Sequence, residues 1–230
     1  VFKDIKSASI KTTIEGFHDL ISYLESYDIA LKAYSDNQIK NMNNKEYSSF
    51  NQLIETVESN RDYFVQLYLS LPSLNISKCL IHSDPKISNF LFDKSSGEVT
   101  SVIDLDNSCF NYRLYDLADC LRSSCNKLGE ETMDTDNISF DLKCFEIFLQ
   151  GYLLKNNNYL FFEELKSLPD ILKLITFELA VRFLTDYLDG NIYFRTSYLS
   201  NNLIRSKNQF QLLSDINMKY LSILSILSAF

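Results

Sequence analysis

Four polar side chains lie close together in residues 81–107: Asp84, Asn89, Asp104 and Asp106. The sequence there reads H-x-D-x-x-x-x-N, then two apolar runs, then D-x-D. This order suits phosphoryl transfer from ATP, because the Asp84 carboxylate can take the proton of an attacking hydroxyl. The oxygens of Asn89 and Asp104 can hold Mg²⁺, a hard cation that prefers oxygen ligands and bridges the phosphates.

Each half of this pattern is weak alone, since an H-x-D is common and a D-x-D is often a turn. The full set of identities, in order and separated by apolar runs, favours a kinase-type site. Protein kinases place H-R-D-x-x-x-x-N and D-F-G in the same order. A zinc site fits less well, because His18 and His82 are the only histidines and no cysteine cluster accompanies them.

Short β-prone runs predict the strands that position these residues. CLIH precedes Asp84, and NFLF and VTSVID flank the segment DKSSGE. Gly97 in that segment can take a positive φ, so the two flanking runs predict a β-hairpin, with Asp93 as a turn residue. Groups at the ends of such strands are fixed in place and still open to a cleft.

Helical periodicity predicts the remaining elements, because apolar residues recur there at three- and four-residue spacing. Pro169 fits the first turn of one helix, and Gly190 fits its C-terminal cap. The sequence predicts a mostly α domain with a small β-hairpin insert. Its predicted segments are helices over 18–35 and 46–71, an Asn-rich loop at 37–46, a helical series from 112 to 190 that includes NYLFFEELKSL (158–168), and a final helix over 200–229.

Composition limits the classes of function. The chain has 230 residues and is 46% hydrophobic, which allows a substantial core. No apolar run approaches the roughly 20 residues that span a bilayer, and a net charge of −8 argues against general nucleic-acid binding. The five cysteines are odd in number and form no C-x-x-C pair, so they predict free thiols in a reducing, cytoplasmic compartment.

Three segments carry a resemblance to known enzymes. HSDPKISN (82–89) and VIDLDN (102–107) resemble motifs of the aminoglycoside phosphotransferase and choline kinase superfamily, which are small-molecule kinases with a protein-kinase-like fold. YRLYDLADCLR (112–122) resembles the helix that follows the metal-binding loop in that superfamily. The resemblance implies ATP as co-substrate, Mg²⁺ as cofactor, Asp84 as catalytic base, and Asn89 as a metal ligand together with Asp104.

The same resemblance assigns roles to the neighbours of these residues. It implies that Asp106 assists the metal or holds its loop, that Asp116 anchors the catalytic loop, and that His82 is a scaffold residue in that loop. Ser83 and Pro85 depart from the residues usual in the family. Neither departure removes a functional group that the mechanism needs.

A longer segment resembles a narrower group. Residues 177–213 are similar to the tail of bacterial N-acetylhexosamine 1-kinases, and TTIEGFHDL (12–20) is similar to a segment early in their C-terminal lobe. This resemblance implies that Arg182 and Tyr193 contact a sugar acceptor. The alternative for Arg182 is an ion pair with Asp186, one turn along the same helix, and for Tyr193 a place in the core.

Three other polar residues have simpler interpretations. His18 and Asp19 lie at the start of the first predicted helix and are expected to cap it, the alternative being that they point to the cleft. Arg205 is expected to pair with an acidic side chain.

A kinase of this fold also needs an N-terminal lobe with a five-stranded sheet and a lysine for the phosphates. The FHD sequence that normally follows that lobe lies at 17–19. Residues 1–230 are therefore expected to form the C-terminal, acceptor-binding lobe, with the nucleotide-binding lobe absent from this chain. A second copy or a partner chain is a possible cover for the surface where that lobe packs.

Three functions stand as hypotheses. The first is an ATP- and Mg²⁺-dependent kinase for a small-molecule hydroxyl, foremost the anomeric hydroxyl of an N-acetylhexosamine or related sugar. The second is a catalytically inactive C-terminal lobe that acts as a binding or dimerisation module. The third is a kinase whose acceptor is an amino alcohol or an aminoglycoside.

Overall fold

Helices dominate residues 16–34, 44–154 and 163–230, which are the parts of the chain that the computed structural model describes. Residues 37–43 of the loop predicted at 37–46 and the first part of the 158–168 segment lie outside these ranges, whereas residues 44–46 of that loop are helical, which corrects the prediction. The helices are α1 (Leu20–Ala33), α2 (Asn44–Ser70), α3 (Arg113–Ser124), α4 (Leu142–Leu153), α5 (Leu168–Leu188), α6 (Asn201–Met218) and α7 (Tyr220–Leu227). The strands are β1 (Lys78–Ile81), β2 (Phe90–Phe92), β3 (Val99–Val102) and β4 (Cys109–Tyr112).

Helix α5 lies at the centre of the core and packs against α1, α2, α3 and α6. Its buried residues face every direction, which is typical of a helix that other elements surround. Phe177 of α5 stacks on Phe64 of α2 with ring centroids 4.2 Å apart. The elements that carry the site are therefore fixed to one common helix.

The ends of the helices follow their local chemistry. Asp19 caps α1, because its carboxylate accepts the backbone N–H groups of Ile21 and Ser22. Pro169 lies in the first turn of α5, and Gly190 follows its last turn with φ of +89°. The caps predicted at Asp19, Pro169 and Gly190 are confirmed.

The predicted final helix is divided in two, which corrects the expectation of one helix over 200–229. The break lies at Lys219, between α6 and α7. The Lys219 ammonium donates to the Asp215 carboxylate at 2.6 Å and to the Phe140 carbonyl at 2.9 Å. These contacts hold the chain at the bend, and Ile223 of α7 is fully buried in the core beyond it.

The four strands form two antiparallel pairs. In the hairpin of β2 and β3, Phe90 is opposite Val102, and Gly97 has φ of +72°. Asp93 accepts hydrogen bonds from Ser95 and Ser96, which lower its pKa to about 2. The predicted hairpin and its turn residue are confirmed.

The second pair joins β1 to β4, a strand that the sequence analysis did not predict. Ile81 is opposite Cys109 and Lys78 is opposite Tyr112. β4 has only four residues and leads directly into α3, so no turn residues mark its end. This pair fixes the start of the loop that carries Asp84 beside the first turn of α3.

Glu164 ties this small sheet to the helical core. Its buried carboxylate accepts two hydrogen bonds from Arg113, at 2.6 and 2.8 Å, and two from Ser77. Burial alone would raise the pKa of Glu164, but the donors of Arg113 and Ser77 outweigh it and hold the pKa below 4.5. The ionised form is therefore the one that stabilises the fold.

We expect Glu164→Gln to lower the free energy of unfolding by about 1–3 kcal/mol at neutral pH, because buried donors lose a charged acceptor. The folded pKa is depressed, so this contribution is complete above the unfolded pKa near 4.5 and decreases as the pH falls towards the folded pKa. Urea titrations at several pH values measure the difference. Glu163→Gln, at an exposed pair with Lys166, is the matched control and is expected to change little. A loss that stays constant down to pH 3 contradicts the prediction.

Two further expectations can be compared with the structure. All five cysteines are free thiols. Within the described ranges, no helix combines the length and the apolar character that a bilayer crossing needs.

Candidate active site

The loop after β1 carries Asp84, and hydrogen bonds to its backbone hold it in place. The Asp116 carboxylate accepts the N–H of His82 and the N–H of Ser83, each at 2.8 Å. Asp116 belongs to the first turn of α3, so the loop is fixed to the helix that packs on α5. The geometry agrees with the anchoring role that the resemblance implies for Asp116.

His82 connects this loop to the end of β3. Its Nε2 lies 2.9 Å from the Ile103 carbonyl oxygen, which can only accept, so Nε2 carries the proton. Its Nδ1 accepts the N–H of Asp84 at 3.3 Å. His82 is therefore a neutral ring with both nitrogens engaged, which suits a scaffold residue and leaves it no proton to exchange with a substrate.

Three non-glycine residues around the loop have left-handed backbone conformations. The φ angles are +64° at His18, +74° at Ser83 and +65° at Asp104. Such a conformation costs roughly 1–2 kcal/mol for an L-residue and tends to persist at functional sites. A positive φ is less costly for glycine or asparagine than for a serine such as Ser83. The three strained conformations indicate that the positions of His18, Ser83 and Asp104 matter more than local stability.

Asn89 brings the two halves of the motif together. Its amide nitrogen donates to the Asp84 carbonyl oxygen at 2.8 Å and lies 3.3 Å from Asp84 Oδ2 and 3.5 Å from Asp104 Oδ2. In this arrangement the amide nitrogen of Asn89, and not its Oδ1 atom, faces Asp104. Asn89 and Asp104 are neighbours that both carry oxygen atoms, the donors that Mg²⁺ prefers, and a magnesium ion shared between them remains a prediction.

Asp106 is placed differently from this pair. It lies exposed in the short 3-10 turn at Leu105–Asn107, and the neighbouring cavity wall is formed by Asp104 and Asn107. No group of three His, Cys, Asp or Glu side chains in the described ranges is arranged to hold a metal. A role for Asp106 at the metal remains a prediction.

Asp84 is largely enclosed and has a cation beside it. Lys86 Nζ lies 2.7 Å from Asp84 Oδ2. Burial, followed by the charge of Asp119, raises the pKa of Asp84 even though Lys86 opposes the rise. A raised pKa makes Asp84 a stronger acceptor for a hydroxyl proton than an exposed aspartate.

Asp84 opens onto a cavity of about 670 Å³ between the loop, α3 and α5. The volume suits a small-molecule ligand. Its wall includes both halves of the predicted site, from residues that lie almost a hundred positions apart in sequence. The wall residues that matter for the chemistry are Asp84, Asp104, Asp119, Glu178, Arg182 and Tyr193.

Arg182 lies among aromatic rings, and the alternative ion pair with Asp186 is absent. Its guanidinium carbon is 4.9 Å from the ring centroids of both Phe17 and Tyr23, and 5.7 Å from that of Tyr193. Tyr193 is 60% exposed, so the alternative that placed it in the core is wrong. Arg182 and Tyr193 lie together at the cavity, and their contact with a sugar remains a prediction.

Sequence comparison decides the family. Residues 21–141, just over half of the chain, match the model of the phosphotransferase enzyme family. This chain belongs to that family. The match includes the whole segment from Asp84 to Asp116 and ends before Arg182.

A solved structure is also similar to this chain. It is choline kinase from Cryptosporidium parvum Iowa II, which has 13% sequence identity and a TM-score of 0.41 over 96% of this chain. The chain spans 60% of the length of that choline kinase. The family assignment rests on the sequence match, and the narrower resemblance to N-acetylhexosamine kinases remains a prediction.

Several polar residues of the phosphotransferase site were missed by the sequence analysis. His18 was expected to cap α1, but its ring is buried and reaches the catalytic loop. Lys86 and Asp119 had local signals, since one lies two positions after Asp84 and the other lies one helical turn after Asp116. Glu178 gave no such signal, because its partner His18 is 160 positions away, and the contact of Arg122 with Gln209 likewise joins distant segments.

Asp186 positions the acceptor side of the cavity. Its buried carboxylate accepts the N–H of Tyr193 at 2.7 Å and the N–H of Phe194 at 3.0 Å, and it also accepts from Asn202 at 2.7 Å. One carboxylate thus holds the loop that carries Tyr193. Arg205 pairs with Glu131 at the same rim, as expected.

We expect Asp186→Asn to raise the acceptor KM of the full-length gene product about tenfold, because an amide nitrogen cannot accept the backbone hydrogen bonds that hold Tyr193. The KM for ATP is expected to stay within about twofold, since the metal side is untouched. Steady-state kinetics with each substrate varied in turn measure both constants. Asp189→Asn, at the exposed end of α5, is the control. An unchanged acceptor KM in Asp186→Asn argues against this role.

Proposed function

We propose that this chain is the acceptor- and metal-binding lobe of an ATP- and Mg²⁺-dependent phosphotransferase. Its acceptor is the hydroxyl of a small neutral molecule, specifically the anomeric hydroxyl of an N-acetylhexosamine or a related sugar. One observation carries the proposal: the cavity onto which Asp84 opens is lined by Asp104 and also by Arg182 and Tyr193. A proton acceptor, a metal ligand and two sugar-binding side chains thus share one space.

The residues of this chain supply the proton chemistry. Asp84 takes the proton of the acceptor hydroxyl while the hydroxyl oxygen attacks the terminal phosphate of ATP. Asn89 and Asp104 would hold Mg²⁺, which neutralises charge on the phosphates when it is bound. Lys86 contacts Oδ2 of Asp84, which leaves the Oδ1 atom to accept the hydroxyl proton.

The charges of the wall favour a neutral acceptor. A cationic acceptor needs a free carboxylate, but most of the acidic groups already have partners. Arg182 also occupies the space among the aromatic rings, where a quaternary ammonium would otherwise bind. The existing pairs are Lys86 with Asp84, Arg122 with Asp119 and Glu130, Arg205 with Glu131, and His18 with Glu178.

One observation favours a different acceptor class, in which the chain belongs to a kinase for an amino alcohol or an aminoglycoside. Asp119 Oδ2 and Glu178 Oε2 are buried beside the cavity and have no hydrogen-bond partner in the described part of the chain. An ammonium group that reached them would gain two charged acceptors. The two candidates therefore differ in the charge of the acceptor.

An acceptor panel separates these candidates. The full-length gene product is assayed for ADP release with N-acetylglucosamine, N-acetylgalactosamine, choline and kanamycin at equal concentrations. We expect turnover with an N-acetylhexosamine, and a fall in kcat/KM of about 10- to 100-fold in Arg182→Met, because a half-buried polar recognition group is removed. Turnover with only the cationic acceptors supports the kinase for an amino alcohol or an aminoglycoside. ADP release that no acceptor stimulates supports the non-catalytic binding module and contradicts both.

A further inference from the structure

His18 links the catalytic loop to the central helix through two short contacts. Its Nδ1 lies 2.9 Å from Glu178 Oε1, and its Nε2 lies 3.0 Å from the Ser83 carbonyl oxygen. The side chains of His18 and Glu178 are 4% and 3% exposed, so water does not replace either contact. The residues come from the segment before α1, from α5 and from the loop after β1.

Both ring nitrogens of His18 face oxygen atoms that accept hydrogen bonds. A carbonyl oxygen has no proton to give, and an ionised carboxylate has none either. Two donors are required, and a neutral imidazole has only one. We infer that His18 is a doubly protonated imidazolium that positions the catalytic loop by joining the Ser83 carbonyl to Glu178.

The charges around the ring support this state. Glu178 and Asp119 are the acidic groups that face it, Arg182 is the opposing cation, and Tyr23 and Tyr115 are the neighbouring phenols. Burial by itself would lower the pKa of His18, but the charge and hydrogen bond of Glu178, together with Asp119, raise it above 6.5. The acidic groups around the ring therefore favour its cationic form.

In this arrangement, hydrogen bonds hold both the N–H groups and a carbonyl group of the loop. Asp116 accepts the N–H of His82 and the N–H of Ser83, while His18 donates to the carbonyl of Ser83. Ser83 is strained at φ of +74° and directly precedes Asp84. A strained residue keeps its conformation only when its surroundings fix it. By fixing Ser83, His18 therefore sets the orientation of the Asp84 side chain. His18 is a positioning residue, and its effect on turnover rests on the proposed role of Asp84.

The protonation state can be measured without any assay of activity. The chain has two histidines, so a sample with nitrogen-15-labelled histidine gives two ring patterns. At pH 7 we expect one ring with both nitrogens protonated and one neutral ring protonated at Nε2, which are His18 and His82 respectively. His18→Gln should remove the first pattern alone. A neutral His18 with an unprotonated Nδ1 at pH 7 overturns the inference, since the proton would then lie on Glu178.

Glu178→Gln tests the same inference with the ring still present, and also assigns the spectra if His18→Gln does not fold. We expect the His18 ring to become neutral at pH 7 in this variant, while the His82 pattern is unchanged. If Asp84 is the base, kcat should fall about 10- to 100-fold, as for a displaced catalytic group. The alkaline limit of kcat should also move to lower pH, a shift that a purely structural loss does not produce. A His18 ring that stays doubly protonated in Glu178→Gln overturns the inference even if no acceptor is turned over.

Discussion

Replacing Asp84 by asparagine is expected to lower kcat of the full-length gene product by a factor of about 10² to 10⁴, the usual contribution of a positioned general base. Asparagine keeps the size of the side chain and can still accept a hydrogen bond from Lys86. It cannot take a proton from the acceptor hydroxyl. The loss should therefore appear in kcat, while the KM for ATP stays within about threefold. Initial rates at saturating acceptor and ATP measure it.

The matched control for this change is Asp62→Asn. Asp62 lies exposed on α2, away from the cavity wall, and the substitution removes the same charge. We expect the control to keep kcat within about twofold, as surface substitutions generally do. A kcat for Asp84→Asn that equals the control shows that Asp84 is not the base.

Replacing Arg122 by methionine is expected to lower the free energy of unfolding by about 3–5 kcal/mol, the usual cost of leaving a buried charge without its partner. The Arg122 side chain is 1% exposed. It donates to Asp119 at 2.9 Å, to Glu130, and to Gln209 of α6 at 3.1 Å. Methionine fills much of the space but leaves the Asp119 carboxylate buried without a cation. Urea titration of the variant measures the loss.

Arg61→Met provides the comparison for that measurement. Arg61 pairs with Asp28 and Glu58, whose side chains are 53% and 49% exposed, so water can replace the lost contacts. We expect this variant to lose at most about 1 kcal/mol. Equal losses in the two variants show that the network of Arg122 has no special weight in the fold.

Local spacing in the sequence predicts the half of the site around the catalytic loop. The order of Asp84, Asn89 and Asp104, with a hairpin between the last two, is encoded within about twenty consecutive residues. The β-prone runs and the turn chemistry of Asp93 and Gly97 are short-range signals. The structure therefore places these residues together as the sequence predicts.

Contacts between distant segments are the part that the sequence does not reveal. His18 and Glu178 are 160 positions apart, and neither residue type indicates the other. Arg122 of α3 and Gln209 of α6 are likewise 87 positions apart and are joined by one hydrogen bond. The pairing of β1 with β4 depends on four residues without a turn signal. Long-range packing decides such contacts, and one sequence carries no direct record of it.

The two halves of the cavity have different support. The family match spans residues 21–141 and thus includes Asp84, Asn89 and Asp104. Arg182 and Tyr193 lie beyond it, so the acceptor assignment depends on their place in the cavity and on the resemblance of residues 177–213. Phosphoryl transfer and acceptor identity should therefore be tested by separate readouts.

The most direct measurement is a phosphorus NMR spectrum of the products formed by the full-length gene product from ATP, Mg²⁺ and N-acetylglucosamine. If Asp84 activates the anomeric hydroxyl, the spectrum should show ADP and one new phosphate monoester coupled to the anomeric proton of the sugar. The signal should be absent, or about 10²- to 10⁴-fold slower to appear, in Asp84→Asn. ADP with inorganic phosphate as the only other product contradicts phosphoryl transfer to the sugar.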